Sequence, residues 1–315
     1  MPPKIKESEG TMSKVIAIAN QKGGVGKTTT AISLGIALAQ DGKKVLLIDA
    51  DPQGNLTTCL GVKQEDIKYT LADLMNGVID DKIIKPDKAL IKNVEGVDLI
   101  PSDIGLSSME LVLNNAMSRE FVMRNSIRDI KDNYDYVLID CMPSLGLIPI
   151  NCLSTADEVI VPVQAQYLAA KGMTFLFNTV NKVKKNINPK LKIKGILITL
   201  VDKRANLSKD VRRDLEEAYG KYFKIYDTEI PVAIKTAEAT IAGKSIFAFD
   251  KNSKVANAYR DLAKEVVQDD REKKRDAPSI YRWVVYNPRT KRWKAIRQGN
   301  KYSNKRNTRF SRTSF

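Results

Sequence analysis

Apolar residues in this chain come in short continuous runs separated by longer amphipathic stretches. The run VIAIAN after Lys14 is followed by KKVLLIDA (43–50), VDLIPS (97–102), YDYVLIDC (134–141), EVIVPV (158–163) and KIKGILITLV (192–201). Each run has strand length and little alternation, the pattern of a strand covered on both faces in a parallel sheet. Between them, Thr28 to Gln40, Leu168 to Val183, Ser208 to Tyr219 and Lys254 to Val267 repeat apolar positions at helical spacing. Strand and helix in alternation predict βαβ crossovers. The fold class expected is therefore α/β: a doubly wound, mostly parallel sheet with helices on both faces and ligands at the carboxyl ends of the strands. The same pattern divides the chain into a polar arm (1–13), one α/β domain (14–268) and an extension (269–315) that breaks the periodicity.

Composition narrows the chemistry. With 43% hydrophobic residues over 315 positions, a sizeable core can form. The chain has no histidine, which removes imidazole bases, histidine-dependent nucleophiles and histidine metal ligands together. Catalysis must rest on carboxylates, lysines or a bound ion. Its three cysteines, Cys59, Cys141 and Cys152, form no CxxC pair, so neither a disulfide framework nor a zinc site is expected. The N-terminus lacks an apolar signal segment and no run reaches about 18 apolar residues, so neither secretion nor a membrane span is expected. A cytoplasmic protein is the expectation. The net charge of +15 is unevenly placed, since residues 270–315 hold 15 of the 52 Lys and Arg but 3 of the 37 Asp and Glu. A polyanionic partner is implied.

The strongest motif is Asn20 to Thr29, NQKGGVGKTT, which follows the first strand and opens the first helix. That context is the one a phosphate-binding loop requires. Gly23, Gly24 and Gly26 let backbone N–H groups curl around an anion, with Val25 and Thr29 completing the loop. Lys27 reaches the β- and γ-phosphates, and the Thr28 hydroxyl is placed to ligate Mg²⁺. The common GxxxxGK[ST] pattern would put glycine at 21, where this chain has Gln21, while an extra Lys22 stands ahead of the glycines.

This KGGxGKT form resembles the ParA/Soj/MinD class of P-loop ATPases, and the resemblance extends over nearly all of residues 14–268. IDADPQGN (48–55) resembles the family's Walker A′ element, YDYVLIDCMPSLG (134–146) its Walker B strand and turn, and ILITLVDKRANLS (196–208) and TEIPVAIKTAEATIAGKSI (228–246) two later blocks of ParA/Soj partition ATPases. The resemblance implies ATP and Mg²⁺ as cofactors, with Asp140 as the Walker B ligand to the metal and Asp49 supporting the metal and the loop. It implies that Asp51 positions or activates the attacking water, and that Lys22 crosses to the partner's phosphates in a nucleotide-sandwich homodimer formed on ATP binding.

Within the class, Cys141 after the Walker B aspartate reads as a buried small hydrophobe, against a cluster-bridging metal or iron-sulfur carrier. The end of the chain lacks the amphipathic helix of a MinD-like membrane-positioning ATPase, so no membrane partner is expected. The partition branch implies non-specific DNA as a partner, with Arg204 and Lys235 on the DNA-binding surface, although Val232 stands where arginine is common. It also implies nucleoid association and a ParB-like centromere-binding protein that stimulates hydrolysis. Only 13 residues precede the first strand, too few for a helix-turn-helix. In the extension, SIYRWVVYNPRTKRWKAIRQG predicts two short extended segments around a turn at Asn287 to Thr290, with aromatic and basic residues interleaved. Such a pattern can stack on bases while pairing with phosphates.

Overall fold

The computed structural model describes residues 13–82, 84–144, 146–165, 169–202, 206–275, 282–287 and 292–297. The described residues open on β1 (Lys14–Ile18), turn into α1 (Lys27–Gln40) and return on β2 (Val45–Ala50). Then come α2 (Asn55–Cys59), α3 (Leu71–Ile79), β3 (Ile91–Val94), β4 (Val97–Ile100), α4 (Met109–Asn115), α5 (Val122–Ser126), α6 (Arg128–Lys131) and β5 (Tyr136–Cys141). The second half runs through α7 (Leu147–Thr155), β6 (Glu158–Gln164), α8 (Ala169–Asn186), β7 (Lys192–Thr199), α9 (Asn206–Tyr219), α10 (Ile234–Ile241), α11 (Ile246–Phe249) and α12 (Lys254–Arg275). A hairpin of β8 (Arg282–Asn287) and β9 (Arg292–Arg297) ends the description.

The main sheet has seven strands in the order β3-β4-β2-β5-β1-β6-β7, all parallel except the edge strand β3, which pairs antiparallel with β4. Alternation along each strand sorts side chains between two apolar layers. Val15, Ala17, Leu46, Ile48, Val137 and Ile139 pack with residues of α3, α5, α7 and α8, while Ile16, Ile18, Val45, Leu47, Tyr136 and Leu138 pack with α1 and α12. Burial on both faces explains why these strands read as apolar runs. Gly35 of α1 allows that helix to lie close on the sheet, for a Cβ there would sit 2.7 Å from Leu47 Cδ2.

The last helix passes the expected boundary at 268 and continues to Arg275. Lys194, whose side chain is 0% exposed, binds Glu158 at 2.8 Å and Asp270 at 2.5 Å, and the Tyr136 hydroxyl donates to the other oxygen of Asp270 at 2.9 Å. Asp270, with Asp269 bound to Lys224 at 2.7 Å, thus ties the helix beyond residue 268 to the body. Among the described residues, no helix is long and apolar enough to cross a membrane.

Candidate nucleotide-binding site

The period of the strands places the site's carboxylates. Asp49 follows Val45 and Leu47 on β2, and Asp140 follows Tyr136 and Leu138 on β5, so both fall on the face covered by α1. The two strands run in register with Asp49 opposite Asp140. Two carboxylates therefore meet at adjacent strand ends, beside the first turn of α1.

The loop ahead of that turn is pinned by neighbouring strands. Asn20 Nδ2 donates to the Pro162 carbonyl at 2.7 Å, the Thr199 hydroxyl donates to the Val25 carbonyl at 2.8 Å, and Val25 is buried. Gly24 and Gly26 hold φ of 72° and 81°, the left-handed region that glycine enters without cost. Gly26 is the N-cap of α1 and no side chain caps the helix, so its first amide groups are available to an anion. A cleft of about 420 Å³ opens over them, reached by Gly23, Gly24, Lys27, Thr28, Thr29 and Asp51.

Two buried aspartates differ sharply in their surroundings. Asp49 Oδ2 accepts from the Thr57 amide at 2.9 Å and hydroxyl at 2.8 Å, while its Oδ1 accepts from the Asp51 amide at 3.2 Å. Burial nevertheless pushes its carboxyl up to about 6. Asp140 is 1% exposed, and no hydrogen bond of ordinary geometry reaches either of its oxygens. Burial, reinforced by Asp49, pushes it up to about 8, against the pull of the Thr28 hydroxyl and the Lys27 ammonium. A buried carboxylate without donors, beside a hydroxyl and an ammonium, is what a divalent cation would satisfy. Lys27 is 7% exposed, and burial lowers its pKa while Asp140, Cys141 and Asp51 raise it; its ammonium donates to the Lys22 carbonyl at 3.3 Å. Asp51 is half-buried at the mouth of the cleft, its Oδ1 accepting from the Gln53 amide at 2.9 Å. Lys22 is exposed on the outer side of the loop and donates to Gln164 Oε1 at 3.3 Å.

The structure thus brings together the loop, Asp49, Asp51 and Asp140. Lys235 lies apart, exposed on α10 and bound to Asp250 at 2.6 Å, which raises its pKa. Arg204 lies outside the described residues. Residues to which the motifs gave no role form the facing wall: Thr236, Ala239 and Thr240 on α10 and Lys244 after it, met by Asn55 and Cys59 on α2. For the α10 residues and Lys244 the sequence signal was the block 228–246, where Thr236 and Thr240 share a helix face at a spacing of four. Leu200 also lines the cleft, held at φ 54°, a strained setting for a residue with a side chain. Cys141 is buried, with the Cys152 thiol and burial raising its pKa. A wider groove of about 910 Å³ lies elsewhere, between residues 227–232 and α12. It is lined by Asp202, Asp227, Glu229 and Asp261 against one lysine, Lys254, and so repels phosphate.

A family profile described as an AAA domain matches residues 13–193. The chain is 46% identical over 257 residues to the sporulation initiation inhibitor protein Soj of Bacillus subtilis, covering 81% of this chain and 98% of that one. It is 41% identical over 266 residues to the chromosome partitioning protein ParA of Caulobacter vibrioides, covering 84% and 97%. Among solved structures, cobyrinic acid a,c-diamide synthase from Mycobacterium smegmatis, seen with ADP and magnesium and with an ATP analogue and magnesium, superposes with TM-score 0.72 at 35% identity, covering 83% of this chain and 97% of that one. With the loop, the paired strand-end carboxylates and these near end-to-end matches, the chain belongs to the ParA/Soj family of P-loop ATPases.

Proposed function

We propose that this ATPase partitions DNA: Mg·ATP closes a homodimer, the dimer binds DNA without sequence preference, and hydrolysis stimulated by a ParB-like partner releases it. The partition half of this reading is carried by the match to Soj and ParA along nearly their whole lengths, because the synthase has the same fold. The hydrolytic half rests on the cleft. The uncapped amides of α1 and the Lys27 ammonium hold the β- and γ-phosphates. Thr28 and the unpartnered Asp140 are the residues that would hold Mg²⁺, which supplies positive charge to the phosphates. Asp49, already engaged by Thr57 and the Asp51 amide, fixes the loop on which Asp51 is carried. Asp51 orients the attacking water, the one base available at the cleft mouth in a chain without histidine. Lys22, on the outer side of the loop, delivers its charge to the phosphates of the second subunit.

Lys235 and Arg204 supply part of the DNA surface, with Lys235 exchanging Asp250 for a phosphate. The test is cosedimentation with a long DNA duplex in the presence of ATP, of ADP and of neither. Binding that requires ATP is expected; equal binding in all three states would remove the nucleotide switch, and no binding in any would remove DNA as the partner.

A further inference from the structure

The nucleotide cleft carries more negative than positive charge before any phosphate enters it. Asp51 lines its mouth, and Asp49 and Asp140 are buried beside the first turn of α1. Among the described residues that line the cleft, the cations are Lys27 in the phosphate loop and Lys244 on the facing wall. Lys27 is already drawn on by Asp140 and Asp51. A phosphate chain needs more compensating charge than one lysine beside three carboxylates supplies, even when a divalent cation offsets part of it.

Lys244 is exposed at the rim of the cleft. What sets it apart from a solvated surface lysine is the turn that carries it, which is fixed from three sides. Its amide donates to the Ala239 carbonyl at 3.0 Å, closing the end of α10. Gly243 before it holds φ 60°, and a Cβ there would lie 3.1 Å from the Cα of Gly61 after α2. Ser245 after it is buried and caps α11, its hydroxyl oxygen accepting from the Phe247 amide at 3.1 Å and the Ala248 amide at 3.2 Å. The Ser245 amide and hydroxyl both donate to the carboxylate of Glu95, the amide at 3.0 Å.

Glu95 comes from a distant part of the chain, the turn between β3 and β4. It sits at φ 51°, with Asn93 at 57° before it and Gly96 at 89° after it. Such a setting is costly for a residue with a side chain and persists where its surroundings over-determine it. Here the carboxylate engages both oxygens with Ser245, the neighbour of Lys244.

We propose that Lys244 is a phosphate-binding residue of the ATP cleft, and that Glu95 is a positioning residue that acts through it by holding the turn 243–245 at the rim. Lys244 is the one charged side chain among the described residues of that wall, and its ammonium brings three donors and a full charge to the side of the cleft that faces Lys27. The inference rests on the ATPase assignment and not on DNA partition.

The test is equilibrium competition against a fluorescent ADP analogue, with the full-length protein and Mg²⁺, using AMP, ADP and a non-hydrolysable ATP analogue. Lys244→Met, which keeps the stem and removes the charge, should weaken ADP and the ATP analogue by about 10-fold, the low end for a charge-assisted hydrogen bond because the rim is solvated. AMP should be affected far less, and Lys244→Arg should restore most of the loss. Glu95→Asn tolerates the left-handed turn but is one methylene too short to hold Ser245. It should weaken the same two ligands, and adding it to Lys244→Met should cause no further loss. Glu95→Gln, which keeps the length and one acceptor, should bind them nearly as the wild type does. Equal losses for AMP and the ATP analogue, or additive losses in the double variant, would each overturn the proposal. Unchanged nucleotide affinity in Lys244→Met with loss of ATP-dependent DNA binding would move Lys244 to the DNA surface, overturning this inference and leaving the partition reading in place. The expected nucleotide losses in a protein that never binds DNA would support this inference and count against partition alone.

Discussion

Asp49 and Asp140 are the same residue type at the same depth on adjacent strands, and their neighbours give them different work. Three donors engage Asp49, whereas no hydrogen bond of ordinary geometry reaches Asp140, beside which only the Thr28 hydroxyl and the Lys27 ammonium favour the charged form. The cleft should therefore respond differently to each of its charged residues. Lys27→Ala should abolish ATP binding in a fluorescent-nucleotide titration while leaving the fold intact, because the phosphates lose their buried cation. Asp51→Ala should bind ATP at near wild-type affinity yet hydrolyse at least about 100-fold more slowly, since water orientation alone is removed; it should accumulate as an ATP-bound dimer in size-exclusion chromatography. Lys22→Ala should retain monomer affinity and lose stimulated hydrolysis. Mixed with Asp51→Ala subunits, it should regain activity in the hybrid dimer, and hybrids without activity would argue that Lys22 acts within its own subunit.

At the scale of elements, the facing wall of the cleft includes a close approach of two backbone segments. Gly61, after α2, has φ 72°, and a Cβ there would lie 2.7 Å from the Gly243 carbonyl oxygen, in the turn after α10. Gly61→Ala should cost about 2 kcal/mol or more, from the left-handed strain and the displaced turn. It should also weaken nucleotide binding with the phosphate loop unaltered; a denaturant melt and a titration check the two parts. This contact was not legible in the sequence, where Gly61 and Gly243 are single glycines 182 positions apart. By contrast, β1, β2 and β5 were legible because each is buried on both faces, and α1 because its glycines and threonines mark its start. The edge strand β3, IKNV with Lys92 and Asn93 exposed, gave no such run. The short helices α4 to α6 gave no periodicity, being too brief for one. Asp140 could be read from its place at the end of VLID, but its lack of hydrogen-bond donors could not, since that depends on what β2 and α1 bring to it.

For the whole molecule, the Lys194 network ties β5, β6 and β7 to the last helix. Lys194→Met should destabilise the fold by about 3–5 kcal/mol, because Glu158, 2% exposed, would be left buried without its cation. Replacing Lys194 and Glu158 together with apolar residues should recover much of that loss in urea melts. The same region governs behaviour in base. Tyr136, Tyr226 and Tyr259 are held by burial above the ordinary 10.0, and Glu158 and Asp270 hold Lys194 above 10.5 despite burial. Each contributes stability that is whole below its unfolded pKa and is lost as pH rises toward its folded one, so the protein should be steady from pH 8 to 9 and weaken above about pH 10. Tyr136→Phe should flatten that decline, by at most about 1.4 kcal/mol per pH unit.

The position of Asp270 also says where foreign sequence can be joined to this scaffold. Composition turns basic near residue 270, which looks like a seam, but a recombination event at residue 269 would strip Lys194 of one carboxylate and the Tyr136 hydroxyl of its acceptor. A graft after Arg275 leaves the whole network intact. An ancestral ATPase could therefore acquire or exchange a C-terminal module at that point without any compensating change in its core.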